Sequence, residues 1–143
     1  MTENKKVLNA GPQRTMNIGQ AARASGVHPK MLRHYEEIGL LPKARRSDAG
    51  YRLYEAQDVH SLQFIKRARD LGFSTAEIKK LIGLWRNRRR QSAEVKRLAL
   101  QHIEDLQVKI RKLEEMRNTL QDLAVRCHGD QRPDCPILSR LAE

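Results

Sequence analysis

The sequence is short of what a large single core requires. Only 4% of its 143 residues are aromatic (one Trp, three Tyr, two Phe) and 39% are hydrophobic. A chain of this kind supports one small helical domain plus an extension that borrows a partner. No apolar run approaches the ~20 residues that span a bilayer, so no transmembrane helix is expected. Residues 1–15 hold lysines but no apolar stretch of the kind a signal peptide needs, so a cytosolic protein is expected. Cysteine is almost missing: Cys127 and Cys135 are the only two. In a reducing cytosol, a lone thiol pair serves as a ligand or redox group more often than as a structural staple. Acidic residues are outnumbered, 17 Asp and Glu against 28 Lys and Arg, for a net charge of +11. An excess of that size points to a polyanion, held through phosphate contacts and counterion release.

What is present is ordered along the chain. Residues 1–15 have no periodicity and read as a disordered tail. From Asn17 the pattern sharpens: Asn17 with Gln20 is a capping box, and Ile18, Ala21, Ala22 and Val27 form the apolar set of a short helix closed by Gly26. Pro29 suits the first position of a second helix lined by Met31, Leu32, Tyr35 and Ile38 and ended by Gly39. Two short helices about Ser25-Gly26-Val27-His28 make a helix-turn-helix. Ser47-Asp48-Ala49-Gly50 is turn chemistry, and Tyr51, Leu53 and Tyr54 suit strands, so a hairpin wing follows. Val59, Leu62, Ile65, Ala68 and Leu71 return to helical spacing. Ser74 with Glu77 caps another helix through Ile78, Leu81, Ile82 and Trp85. The winged DNA-binding domain is thus 16–85, and a basic linker covers 86–91.

Residues 92–124 are the longest periodic stretch. Ala99, Leu106, Leu113 and Leu120 are spaced by heptads, and Ile103 and Ile110 supply the alternate positions. So narrow an apolar stripe on so long a helix is unstable alone and calls for a second copy, giving a symmetric dimer. Residues 125–143 form a loop-like tail that holds both cysteines.

Two constellations carry chemistry. Lys30, Arg33, His34 and Tyr35 lie near the start of the second helix, and Arg46, Tyr51, Arg52 and Tyr54, with Arg45, lie on the hairpin. Arginine reads guanine edges bidentately, while lysine and tyrosine often hold phosphates. The thiols, in CHGDQRPDC, have seven residues between them. That is too wide for a zinc knuckle and is not a CxxC redox motif. Two thiolates on one loop suit linear coordination of a soft monovalent ion such as Cu(I), Ag(I) or Au(I). His128 is the competing reading, as a third ligand.

The segments MNIGQAARASGV, MLRHYEEIGLLP and SDAGYRLY resemble the MerR family of bacterial transcription regulators, over most of the chain from Met16 to Pro136. The resemblance implies a mainly α fold. A winged helix-turn-helix and two further helices precede a long dimerisation helix that pairs as an antiparallel coiled coil, with the effector site in a short loop near its end. Cys127, a polar loop and Cys135-Pro136-Ile137 are similar to the copper-responsive branch, the copper-efflux regulators. That branch carries serine, here Ser92, where divalent-metal sensors carry cysteine. Lys96 matches a lysine of the monovalent sensors. The resemblance further implies an activator that binds pseudo-palindromic promoter DNA in both states and distorts it for RNA polymerase. The extra N-terminal tail and an ending, SRLAE, without a Cys- and His-rich run depart from those relatives. Other readings remain: a thiol-redox regulator, a zinc sensor of the same family, and a ligand-free architectural DNA-bending protein. An enzyme using Cys127 with His128 is disfavoured, since adjacent residues rarely point at each other and no oxyanion element is evident.

Overall fold

The computed structural model describes residues 15–143, arranged as two compact units that divide after Arg90. The disordered tail expected for residues 1–15 lies, up to residue 14, outside the described residues.

Among the described residues, the first unit holds four helices and a hairpin: α1 (Ile18–Ser25), α2 (Pro29–Glu37), β1 (Arg45–Arg46), β2 (Arg52–Leu53), α3 (Ala56–Asp70) and α4 (Thr75–Arg86). The Asn17–Gln20 capping box forms, each side chain meeting the other residue's backbone N–H at 2.9 Å. Gly26 then takes φ +74°, a left-handed conformation that L side chains rarely adopt, and its N–H closes α1 on the Ala22 carbonyl at 2.8 Å. Pro29 starts α2 as expected, and the His28 Nδ1 accepts the Lys30 N–H at 3.1 Å. Ser74 and Glu77 cap α4 reciprocally.

The wing is a two-stranded antiparallel ribbon pairing Arg45 with Leu53 and Arg46 with Arg52. Its turn is closed by the Gly50 N–H on the Ser47 carbonyl at 2.8 Å, with Gly50 at φ +87°. Met16 adds an isolated bridge to Tyr54, exchanging two backbone hydrogen bonds of 2.7 and 2.8 Å. The chain just before α1 is therefore tied to the base of the wing.

The core of this unit gathers Ala21, Leu32, Tyr35, Leu40, Leu62, Ile65, Ile78 and their neighbours from all four helices. One polar tie crosses from core to wing. The Glu36 side chain, 8% exposed, accepts the Arg52 Nε–H at 3.0 Å through one oxygen and the Ala44 N–H at 3.0 Å through the other. A second tie holds α2 from another element: the Arg69 Nη1 donates to the Tyr35 hydroxyl at 2.7 Å.

The second unit is α5 (Ser92–Arg126), a loop, and α6 (Pro136–Leu141). The expected long helix runs two residues beyond 124. The tail read as a loop contains a short helix, whose Pro136 occupies the first turn. Leu123 of α5 is buried, and α6 packs on that end of the long helix.

Glu36 yields a stability prediction. Replacing it with Ala strands the Arg52 guanidinium and the Ala44 N–H, each of which loses a charge-assisted bond. We expect Glu36→Ala to lower unfolding free energy by about 1.5–3 kcal/mol, measured by urea denaturation at fixed protein concentration. A loss below about 0.5 kcal/mol, the level of an exposed ion pair, contradicts a structural role for this carboxylate.

Candidate nucleic-acid interface and thiol centre

Helix α2 has two distinct faces. Lys30, Arg33 and His34 are all exposed and, at spacings of three and four residues, share one face. Leu32 and Tyr35 point the other way, into the core. The outer face of α2 therefore carries one lysine, one arginine and one imidazole with no carboxylate bonded to them among the described residues.

The two tyrosines need correcting. Tyr35 and Tyr54 were expected to contact DNA, but they are only 4% and 2% exposed. Tyr35 places its hydroxyl against Arg69, and Tyr54 lies in the core beside the wing. Burial, followed by the nearby Glu36 carboxylate, pushes the Tyr54 phenol up to about 12. Its hydroxyl has no well-aligned hydrogen-bond partner among the described residues. Both rings are packed into the platform beneath the exposed face of α2 and the wing. Tyr51 differs: it is 72% exposed on the wing. Arg46 is exposed and braced by the Gly50 carbonyl at 2.8 Å. Arg52 is half-buried, with its Nε committed to Glu36, so it acts first as the wing's anchor.

The two cysteines flank the loop that joins α5 to α6. Cys127 ends the helix, its N–H bonded to the Leu123 and Ala124 carbonyls at 3.1 and 3.2 Å. The chain turns through Gly129 at φ +65°, and Asp130 is fixed by Arg132 at 2.8 Å. Cys135 then caps α6, and its carbonyl accepts the Ser139 N–H at 3.0 Å. The Cys135 thiol is favoured in its charged form by the backbone N–H groups of Leu138 and Ile137 and, more weakly, by the Cys127 side chain. These donors hold Cys135 below the usual thiol range, outweighing desolvation. Both cysteines are free and half-buried.

No imidazole or carboxylate completes a three-donor set with the two sulfurs among the described residues. His128 is exposed and Asp130 is engaged with Arg132. The donor set fits a soft ion that accepts two thiolates, and Cys127 and Cys135 would hold it. Ser92 and Lys96 are exposed on the first turns of α5. At about 1.5 Å per residue, the helix separates Ser92 from Cys127 by roughly 50 Å within one chain. Ile110, Leu113 and Leu120 remain 52%, 61% and 54% exposed along the helix, and Ile103 48%. Ala99 and Leu106 are half-buried.

Sequence reasoning missed Glu36, Arg69 and α6. For α6 a signal existed: Pro136 followed by Ile137, Leu138 and Leu141 is a helix start with apolar residues one turn apart. Glu36 and Arg69 have no local signal, because their partners are 16 and 34 residues away.

The family model described as MerR HTH family regulatory protein matches residues 16–84, and that described as MerR, DNA binding matches residues 59–123. Heavy metal-dependent transcription regulator 2 of Rhizobium meliloti (strain 1021) is 54% identical over 127 residues, covering 89% of this chain and 86% of that protein. The HTH-type transcriptional regulator CueR of Escherichia coli O157:H7 is 39% identical over 127 residues, covering 89% of this chain and 94% of that protein. The structure of the transcription regulator PbrR691 from Ralstonia metallidurans CH34, in complex with lead(II), has a TM-score of 0.73 and 31% identity, covering 88% of this chain and 98% of that chain. With the winged helix-turn-helix and the long terminal helix in place, these matches show that the chain belongs to the MerR family of helix-turn-helix transcription regulators.

Proposed function

We propose that this metal-responsive regulator is a cytoplasmic activator that senses Cu(I), Ag(I) or Au(I) through the Cys127 and Cys135 thiolates. The observation that carries the reading is that the two free, half-buried thiols face one loop and interact electrostatically, with no imidazole or carboxylate completing a three-donor set among the described residues. A two-coordinate site suits a soft monovalent ion, whereas zinc seeks four ligands. The similarity to heavy-metal-dependent regulators and to CueR supports it.

Ser92 and Lys96 join this site only across a dimer. The roughly 50 Å between helix ends excludes a contribution from the same chain. An antiparallel pair of α5 helices covers the Ile103, Ile110, Leu113 and Leu120 stripe and brings one chain's Ser92 end toward its partner's thiols. Lys96 then offsets the extra negative charge of two thiolates on a +1 ion. Such a dimer presents two α2 reading faces to a pseudo-palindromic promoter, in keeping with two-fold symmetry. Promoter distortion fits a regulator that stays on DNA and alters its twist for RNA polymerase.

Two free thiols at the ends of one short loop also favour a second reading, a disulfide formed under oxidative stress. Activation by Cu(I) in anaerobic, reducing buffer separates the two, since a redox sensor stays silent there.

Three tests follow. For the thiol site, Cys127→Ser or Cys135→Ser abolishes metal-dependent transcription and leaves DNA binding intact, while His128→Ala changes little. X-ray absorption on the Cu(I)-loaded protein shows two sulfurs, and Ser92→Cys admits Hg(II) or Zn(II) by adding a third thiolate. A nitrogen ligand, or silencing by His128→Ala, sinks the two-coordinate site. For the dimer, Leu113→Asp places a charge in an apolar seam at high cost. Sedimentation then shows monomers and operator affinity collapses; an intact dimer refutes the seam. For the reading face, Arg33→Ala weakens specific binding by about 1–3 kcal/mol if it reads a base edge. An equal loss on random DNA shows that Arg33 holds phosphate instead.

A further inference from the structure

The wing has two faces, and only one of them looks toward α2. Alternation along its strands puts Arg46 and Arg52, a cross-strand pair, on the face where Arg52 meets Glu36. The pair Arg45 and Leu53 lies on the opposite face. Behind that face is a cleft of about 360 Å³, floored by Ser61 and closed by Arg86 at the end of α4, with Lys43 and Arg45 at its rim. The Arg86 Nη2 donates to the buried Ser61 hydroxyl at 3.2 Å, which sets its guanidinium in the wall. The chain then continues directly into Arg88, Arg89 and Arg90.

Basic side chains outnumber acidic ones here. Lys43, Arg45, Arg88 and Arg89 are exposed, and none forms a side-chain ion pair among the described residues. Arg86 and Arg90 bond only to neutral acceptors, the Ser61 hydroxyl and the Trp85 and Asn87 carbonyls. Two carboxylates, Glu55 and Asp58, also line the cleft, but both are engaged in the capping box that starts α3. Those two carboxylates offset part of the charge, but Lys43, Arg45, Arg86, Arg88, Arg89 and Arg90 outnumber them, so the net charge stays cationic from the wing into the linker.

We propose that this cleft and the arginines after it grip the operator backbone on the side of the wing away from α2, adding phosphate contacts outside the half-site that α2 reads. The inference rests on the DNA-binding reading above. The occupant is duplex DNA because the hairpin is only two strands wide. A backbone that touches its Arg46 face passes close to its Arg45 face. Contacts of this kind carry no sequence information and appear as salt dependence.

The test uses the full chain, a duplex carrying the operator recovered by selection with that chain, and a random-sequence duplex of equal length. The variant is Lys43→Ala/Arg45→Ala/Arg89→Ala, which leaves the Arg86–Ser61 bond in place; matching thermal melts establish that it folds. The expected result is a log K against log salt slope shallower by roughly 2–3 units, since each lost phosphate contact removes about 0.9. Affinity falls by the same factor on both duplexes, and hydroxyl-radical protection outboard of each half-site disappears. An unchanged slope overturns the proposal. So does a shallower slope with an unchanged footprint, because the cations then act only through their long-range field. If neither wild type nor variant distinguishes operator from random DNA, the sequence-reading function itself fails. If the wild type discriminates and Arg33→Ala abolishes that, while the triple variant behaves as wild type, this proposal alone fails.

Discussion

The Glu36 carboxylate is the constraint on which the DNA-reading unit depends. It sits on α2, the helix that also carries Lys30, Arg33 and His34, and reaches the wing through Arg52 and the Ala44 N–H. A helix and a hairpin that contact DNA in concert must keep a fixed angle. Apolar packing alone sets that angle poorly for a wing whose strands are two residues long. A nearly buried carboxylate with two directional bonds sets it well, because each bond weakens steeply when misaligned. The Tyr35–Arg69 bond does the same for another element, locking α2 to α3. The recognition helix is thus held to both the wing and α3 by polar contacts of strict geometry within an otherwise apolar platform.

The second unit is organised by length. Helix α5 is far too long for its narrow stripe to be covered by its own short α6, and the exposed Ile110, Leu113 and Leu120 follow from that. In the proposed dimer the same length places the sensor of one chain near the start of its partner's helix. The thiols then report on the subunit interface rather than on a single protomer. That links binding at the tail to the relative placement of two reading heads, and through them to DNA shape.

Much of this was legible in the sequence wherever the determinants were local. The Asn17–Gln20 and Ser74–Glu77 boxes, the glycine at 26 and the turn at 47–50 each use residues within four positions of one another, and each formed as read. The long helix was legible because its period persists over many turns. The errors came where a side chain's fate depends on distant partners. Tyr35 and Tyr54 have the chemistry of phosphate contacts, but Leu32, Leu62 and Ile65 enclose them in one core. Nothing near Tyr35 announces Arg69, and nothing near Glu36 announces Arg52. The α6 helix was hidden by the polar loop before it, whose Gly, Asp and Pro residues outweighed four apolar residues after Cys135. The thiol pair was found by its rarity, yet the Leu138 and Ile137 donors at Cys135 needed the fold.

The loop between Cys127 and Cys135 has a thermodynamic consequence. Closing a ring of this size in a flexible chain costs about 2 kcal/mol of configurational entropy, beyond a constant. Here the Gly129 turn, the Asp130–Arg132 pair and the cap of α6 order the segment between the two cysteines. On the proposed reading, capture of an ion would need little further ordering of the chain. The loop would then act as a preformed clasp. Its selectivity would be set by how many bonds an incoming ion demands, rather than by how far the polypeptide must move to supply them.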